Sequence, residues 1–255
     1  MTALVRAEWT KLFTTRVWIG LVLGACLMAG GFAALFTGLA GAEPDGGQPG
    51  LPAVGTPQYE EVVFSVAANA SVLFLILGII GMTQEYRHRT ATPTFLTTPR
   101  RGRVVAGKLL AYGAAAVPFA VLVLAVVVGV VLVYAGARGA APSLDADNLR
   151  TLAAAGLVLV VFAVIGVGVG ALLRNQVGAI VGALVYLYVA EPIISSIGAV
   201  QGAYKWLPGG AVQAITSDFQ APDLLEPWQG GLLLLGYGLL AALLGTFLAV
   251  RRDVG

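Results

Sequence analysis

Charge is scarce in this chain. Only 11% of its 255 residues are Asp, Glu, Lys or Arg, where a soluble domain carries roughly 25%. With 58% hydrophobic residues and a mean hydropathy of +0.87, one water-soluble core is a poor reading. An all-α, polytopic membrane protein is expected instead. Histidine and cysteine occur once each, as His88 and Cys26. An internal disulfide is therefore excluded, and a His/Cys metal site or a His-based triad lacks partners. Cys26 reads as a small apolar helix residue and His88 as a solvated loop residue. The sequence holds no GxSxG motif and shows no pair of membrane-embedded carboxylates, so an intramembrane enzyme has no visible machinery. Nor is there a concentrated basic face on a polar domain, which argues against nucleic acid as a partner.

What is present is a series of charge-free runs. Residues 17–42, 62–84, 109–137, 151–173, 175–190 and 227–250 contain no ionised side chain. About 20 apolar residues cross a bilayer, and five runs pass. The short one, 175–190, is extended to Glu191 and taken as the fifth of six spans, placed at 17–42, 62–84, 109–137, 151–173, 175–191 and 228–250. Residues 1–16, MTALVRAEWTKLFTTR, are too polar to insert. Val5, Trp9, Leu12 and Phe13 share a side at helical spacing, and Glu8 can pair with Lys11 at i, i+3. That suits a helix lying in the membrane interface, with a frayed tail as the bland reading. Ala40-Gly-Ala42 resembles a signal cleavage site, but the apolar run before it outlasts a signal peptide's core.

Lys and Arg fix the expected orientation. With the N-terminus inside, twelve basic residues are cytoplasmic: Arg6, Lys11, Arg16, Arg87, Arg89, Arg100, Arg101, Arg103, Lys108, Arg174, Arg251 and Arg252. Three are external: Arg138, Arg150 and Lys205. Both termini are then cytoplasmic, in a multi-pass protein of a bacterial plasma membrane. Half of the inside set sits in 85–108, EYRHRTATPTFLTTPRRGRVVAGK, the one large basic connector and the natural grip for a cytosolic partner. Residues 43–61 form a Gly/Pro-rich external connection. Asp145, Asp147 and Asn148 are candidate caps for the fourth span. The turn at 172–176 is too tight for a second docking surface. Residues 192–227 alternate apolar and turn residues and suit short helices dipping into the outer leaflet, with Tyr204, Trp206 and Trp228 at headgroup level.

Several motifs invite chemistry. Residues 102–109, GRVVAGKL, approach a Walker A motif, but Leu109 replaces the Mg²⁺-binding Ser/Thr and no strand precedes it. The chain is thus expected to bind neither ATP nor a metal and not to be an enzyme. Glu191 lies beside Pro192, sixteen residues past Arg174 and so roughly 25 Å from the inner surface. It is a candidate external gate with Tyr204 and Lys205; an ordinary headgroup-level carboxylate is the bland alternative. Gly20/Gly24, Gly166/Gly170 and Gly178/Gly182 are four-residue glycine pairs that permit close helix contacts, either within the chain or between copies.

The order of these features resembles ABC-2 type transporter permeases. The resemblance rests on Glu8-Trp-Thr-Lys11-Leu12 before span one, Glu85-Tyr-Arg87 closing span two, Thr90…Leu96…Pro99-Arg100-Arg101, Gly107-Lys108 opening span three, and Leu207-Pro208-Gly209-Gly210 after span five. It covers the whole of 1–255 as one transmembrane domain. It implies an interfacial elbow helix, six spans and re-entrant helices after the fifth. It also implies a second permease copy or paralogue packed near spans one and five, through Gly20, Gly24, Gly178 and Gly182. A pair of separate ATPase subunits would bind ATP and Mg²⁺ and grip the loop at 85–108, with Glu85, Arg87, Thr90, Phe95, Leu96, Arg100 and Arg101 as the coupling contacts. The activity implied is export of an amphipathic or hydrophobic cargo, a drug-like molecule, peptide or lipid. Alternatives are a scaffold or sensor without transport, and a secondary transporter driven by an ion gradient; the latter wants an acid at mid-membrane, and none is evident.

Overall fold

The structure is a computed structural model that describes residues 2–42, 50–87, 101–140, 142–197, 201–216 and 224–251. Among these residues every regular element is helical. The chain begins with α1 (Thr2–Thr14) and α2 (Val17–Leu39). Next come α3 (Pro57–Ser65), a 3₁₀ turn (Val66–Ala70) and α4 (Ser71–Arg87). Two long helices follow, α5 (Arg101–Ala137) and α6 (Ala146–Leu173). Then α7 (Gln176–Val185) runs through a π turn (Tyr186–Ala190) into α8 (Glu191–Ser196). The short α9 (Gln201–Tyr204) and α10 (Pro208–Thr216) precede α11 (Pro227–Arg251). Six helical stretches are long and apolar enough to cross a membrane, making this a multi-pass membrane protein.

The helices outrun the charge-free runs, because a helix needs apolar residues only where lipid touches it. The helical stretch that carries the second span begins before 62: Pro57–Arg87 is continuous, and it includes Glu60, whose carboxylate accepts from Ser143 and Asn148. The third helix starts at Arg101 rather than at 109, and its Lys108 is buried beside two acids. The fourth starts at Ala146, where Asp145 accepts from the Asn148 N–H at 2.9 Å, an N-cap the sequence foresaw. The fifth helical stretch runs on past Glu191. Pro192 has no N–H to give the carbonyl four residues back; the ladder slips instead, with Glu191 N–H bonding Tyr186 O, and the helix continues to Ser196.

Helix α6 is the hub, packing against α4, α5 and α11. Two of these seams are backbone-close. A Cβ on Gly78 would lie 2.1 Å from Ala163 O, and one on Gly166 would lie 2.1 Å from Leu75 O. On the opposite side, a Cβ on Gly168 would meet Gly238 O at 2.5 Å, and one on Gly245 the Ala171 carbonyl carbon at 2.6 Å. In lipid, where apolar side chains gain little by leaving their surroundings, such contact supplies the packing energy. The stretch Gln176–Ser196, made of α7, the π turn and α8, is the loosest: only 11% of its most apolar part is buried, against 56% for α6.

Gly166→Ala should therefore lower the melting point of the purified protein, at a cost of about 1–3 kcal/mol or more. Gly129→Ala, where nothing lies within 4 Å, should be neutral. Equal melting points for the two variants would refute the α4–α6 seam.

Candidate functional site

Two polar constructions stand out, one at each end of the bundle. At the α1 end, four side chains from three elements meet. Lys108 Nζ on α5 donates to Glu8 Oε2 at 2.6 Å, to Glu85 Oε1 at 3.1 Å and to the Gly81 carbonyl at 3.1 Å. Lys11 Nζ donates to Glu8 Oε1 and to Glu85 Oε1, both at 2.7 Å. Charges alternate around this ring, and its core is dry: Lys108 is 0% exposed, Glu8 4% and Glu85 5%. Two acids and two bases cancel, which is what makes burial tolerable. Burial pulls the Lys11 ammonium down, but its hydrogen bonds to Glu8 and Glu85, and their charges, outweigh that and hold it above its usual 10.5. Beside the ring, Tyr112 packs its ring on Gly81, where a Cβ would come within 2.1 Å.

The ring reshapes several expectations. Glu85 was expected to reach a partner; it is buried and turned inward to Lys11 and Lys108 because α1 supplies the cation that the acid faces. Arg87 is exposed and donates to Gln176 at 3.4 Å. Thr90, Phe95, Leu96 and Arg100, with His88, lie outside the described residues, as does the side chain of Arg101, the first residue of α5. The Walker-like 102–108 stretch is helical, with its lysine committed to the ring. Glu8 and Glu85 form a pair of carboxylates buried within the protein, a pairing that the sequence reading did not anticipate. On α1 the buried face carries Glu8 and Leu12. Trp9 and Phe13 are partly exposed, and Phe13 joins Trp18 and Phe119 in an aromatic cluster. One signal was legible: Glu85 and Lys108 directly adjoin the apolar runs 62–84 and 109–137.

At the opposite end, Glu191 is 4% exposed. It accepts from the Gly209 N–H and also from Gly210, at the start of α10. The π turn positions it there. Tyr204, one of its expected companions, lines the same cavity; burial first and then the Glu191 charge push its phenol up. Lys205, the other, forms no ion pair with Glu191. The cavity holds ≈ 490 Å³, and two of its lining residues, Phe162 and Leu187, also line a second, apolar cavity of ≈ 470 Å³ between α6, α7 and α11.

The same end carries two ties that the sequence reading missed. Arg138 donates to the carbonyls of Thr37 and Ala40 at the C-terminus of α2, where a cation is favoured. Glu60 gathers Ser143 and Asn148. Of the glycines expected between copies, Gly20 and Gly182 meet nothing within 4 Å, Gly24 meets Leu73, and Gly178 meets its own cap residue Asn175. Gly166 and Gly170 are spent within the chain, against α4. Among the described residues no group of three His, Cys, Asp or Glu side chains could hold a metal.

Compared with known proteins, the chain matches no family model and no curated protein.

Two expected outcomes follow from the ring. Lys108→Met strands two buried carboxylates on one lysine and should cost about 3–5 kcal/mol, read as a lowered melting point, with part recovered by adding Glu8→Gln. For Lys11 the folded pKa exceeds the unfolded one. Its contribution is thus complete below 10.5 and vanishes as pH climbs through the folded value. Wild type should lose more stability than Lys11→Met across that alkaline range; identical profiles would show that Lys11 does not take part.

Proposed function

We propose that this chain is the membrane-spanning permease subunit of an ATP-driven exporter of the ABC-2 type. It works beside a second permease copy or paralogue and a pair of ATPase subunits that bind the nucleotide. The proposal places it in a bacterial plasma membrane with both termini and the 88–100 connector in the cytoplasm, on the strength of the twelve-to-three lysine and arginine bias. In this reading α1 lies in the inner interface and α9 and α10 are re-entrant elements of the outer leaflet. The cargo is amphipathic or hydrophobic.

The observation that carries the proposal is the ring. Glu85 closes α4 and Lys108 sits near the start of α5, so the two helices bordering the connector are bonded to each other and, through Glu8 and Lys11, to α1. Force applied to the connector by a closing ATPase dimer would reach α1, α4 and α5 together and pass through α6. Arg87, exposed at the end of α4, borders the connector that the proposal gives to that partner, with Arg100 and Arg101 as further contacts in this reading.

A second reading, transport driven by an ion gradient, draws on Glu191, a buried acid beside a π turn in a membrane helix. Energy dependence separates the two. Reconstituted with its ATPase, the chain should export a lipophilic dye in an ATP-dependent manner that persists when ionophores collapse ion gradients. Replacing Arg87, Arg100 and Arg101 together by Ala should reduce ATPase capture and stimulated hydrolysis by about tenfold, several exposed charges acting jointly. Undiminished transport by the chain without any ATPase would overturn the proposal. Impermeant maleimide on intact cells should label a Gln48→Cys variant and spare Thr97→Cys, both in a Cys26→Ala background.

A further inference from the structure

Glu191 is an acid without a base. The Glu8, Glu85 and Glu60 carboxylates each face full cations or several side-chain donors. Glu191 has the two N–H groups opening α10, and among the described residues no Lys, Arg or His pairs with it. A helix N-terminus offers roughly half an elementary charge, so an ionised carboxylate there stays under-compensated. It does not face a sealed core. It lines the ≈ 490 Å³ cavity together with four aromatic side chains, Phe36, Phe162, Tyr188 and Tyr204, and with Asn69. An acid in a cavity lined by aromatic side chains has the chemistry to hold an organic cation: the carboxylate supplies charge, and aromatic rings attract a cation whose hydration is weak. Phe162 and Leu187 also line the apolar ≈ 470 Å³ cavity, with Leu75, Ile165 and Val169 among others. An apolar cavity that shares Phe162 and Leu187 with the acidic one suits a cation carrying apolar groups.

The geometry points to Glu191 and its aromatic neighbours as a binding site for lipophilic organic cations. This deepens the exporter reading by naming a cargo class, and it rests on that reading only for what happens after binding. Binding itself is read on the chain alone, so its failure leaves the ATPase partnership to be judged by capture and hydrolysis.

The test uses the full chain in lipid nanodiscs and two probes of the same shape and opposite charge, tetraphenylphosphonium and tetraphenylborate. Equilibrium dialysis measures binding above that of protein-free nanodiscs. Wild type should bind the phosphonium in preference to the borate. Glu191→Gln, which keeps the shape and an acceptor for the Gly209 N–H, should weaken phosphonium binding about tenfold. Ser195→Trp, which fills the cavity from its lining without changing charge, should weaken it as well. Asp147→Asn, an acid elsewhere at the same end, should leave it unchanged. Equal binding of both probes overturns the proposal, as does wild-type affinity in Glu191→Gln or in Ser195→Trp. Should Glu191→Gln fail to elute as a folded species, Ser195→Trp and the comparison of the probes decide the matter.

Discussion

The ammonium of Lys108 is wholly enclosed, and one end of this protein depends on how that charge is answered. Its partners are Glu8, Glu85 and the Gly81 carbonyl. Each carboxylate in turn needs Lys11, which brings α1 into place. Removing either cation exposes the problem that the ring solves, because a buried charge without its partner costs far more than the intact pair contributes. The ring is therefore best understood as a device for position. It sets where α1 sits relative to α4 and α5, at modest net gain in stability.

The opposite end follows the same rule with different groups. Arg138 answers the open carbonyls of α2, and Ser143 and Asn148 answer Glu60. Among the described residues Glu191 is answered by backbone N–H groups alone and so stands apart. Between the two ends, α6 holds the bundle by direct backbone approach to α4 and α11, while α7 stays lightly packed. A rigid hub beside a loosely held wall is an arrangement in which cavities can change shape without breaking the core.

Much of this architecture was legible in the sequence. Five of the six spans announced themselves as charge-free runs, and Asp145 announced the cap of α6. Limits were less legible where charge was paired off. Glu60 and Lys108 looked like loop residues because a single strand of sequence does not reveal the partners that make burial affordable. Pro192 looked like a terminator because a slipped π turn leaves no compositional mark. Glu85 drew notice as a polar residue at a span's end, but its direction depends on Lys11, 74 residues earlier, and long-range pairing of that kind has no periodicity to read. The glycine pairs were seen as contact surfaces, yet spacing alone does not say which partner they meet; Gly166 proved internal while Gly20 and Gly182 stayed open.

The order in which the ring's members occur along the chain also constrains biosynthesis. Glu8 and Lys11 leave the ribosome first, Glu85 long after, and Lys108 a hundred residues behind Glu8. The N-terminal helix cannot lock into its final seat until the third hydrophobic segment is under way. A nascent chain truncated before that point carries two acids and one base at this junction, an imbalance that marks it as unfinished.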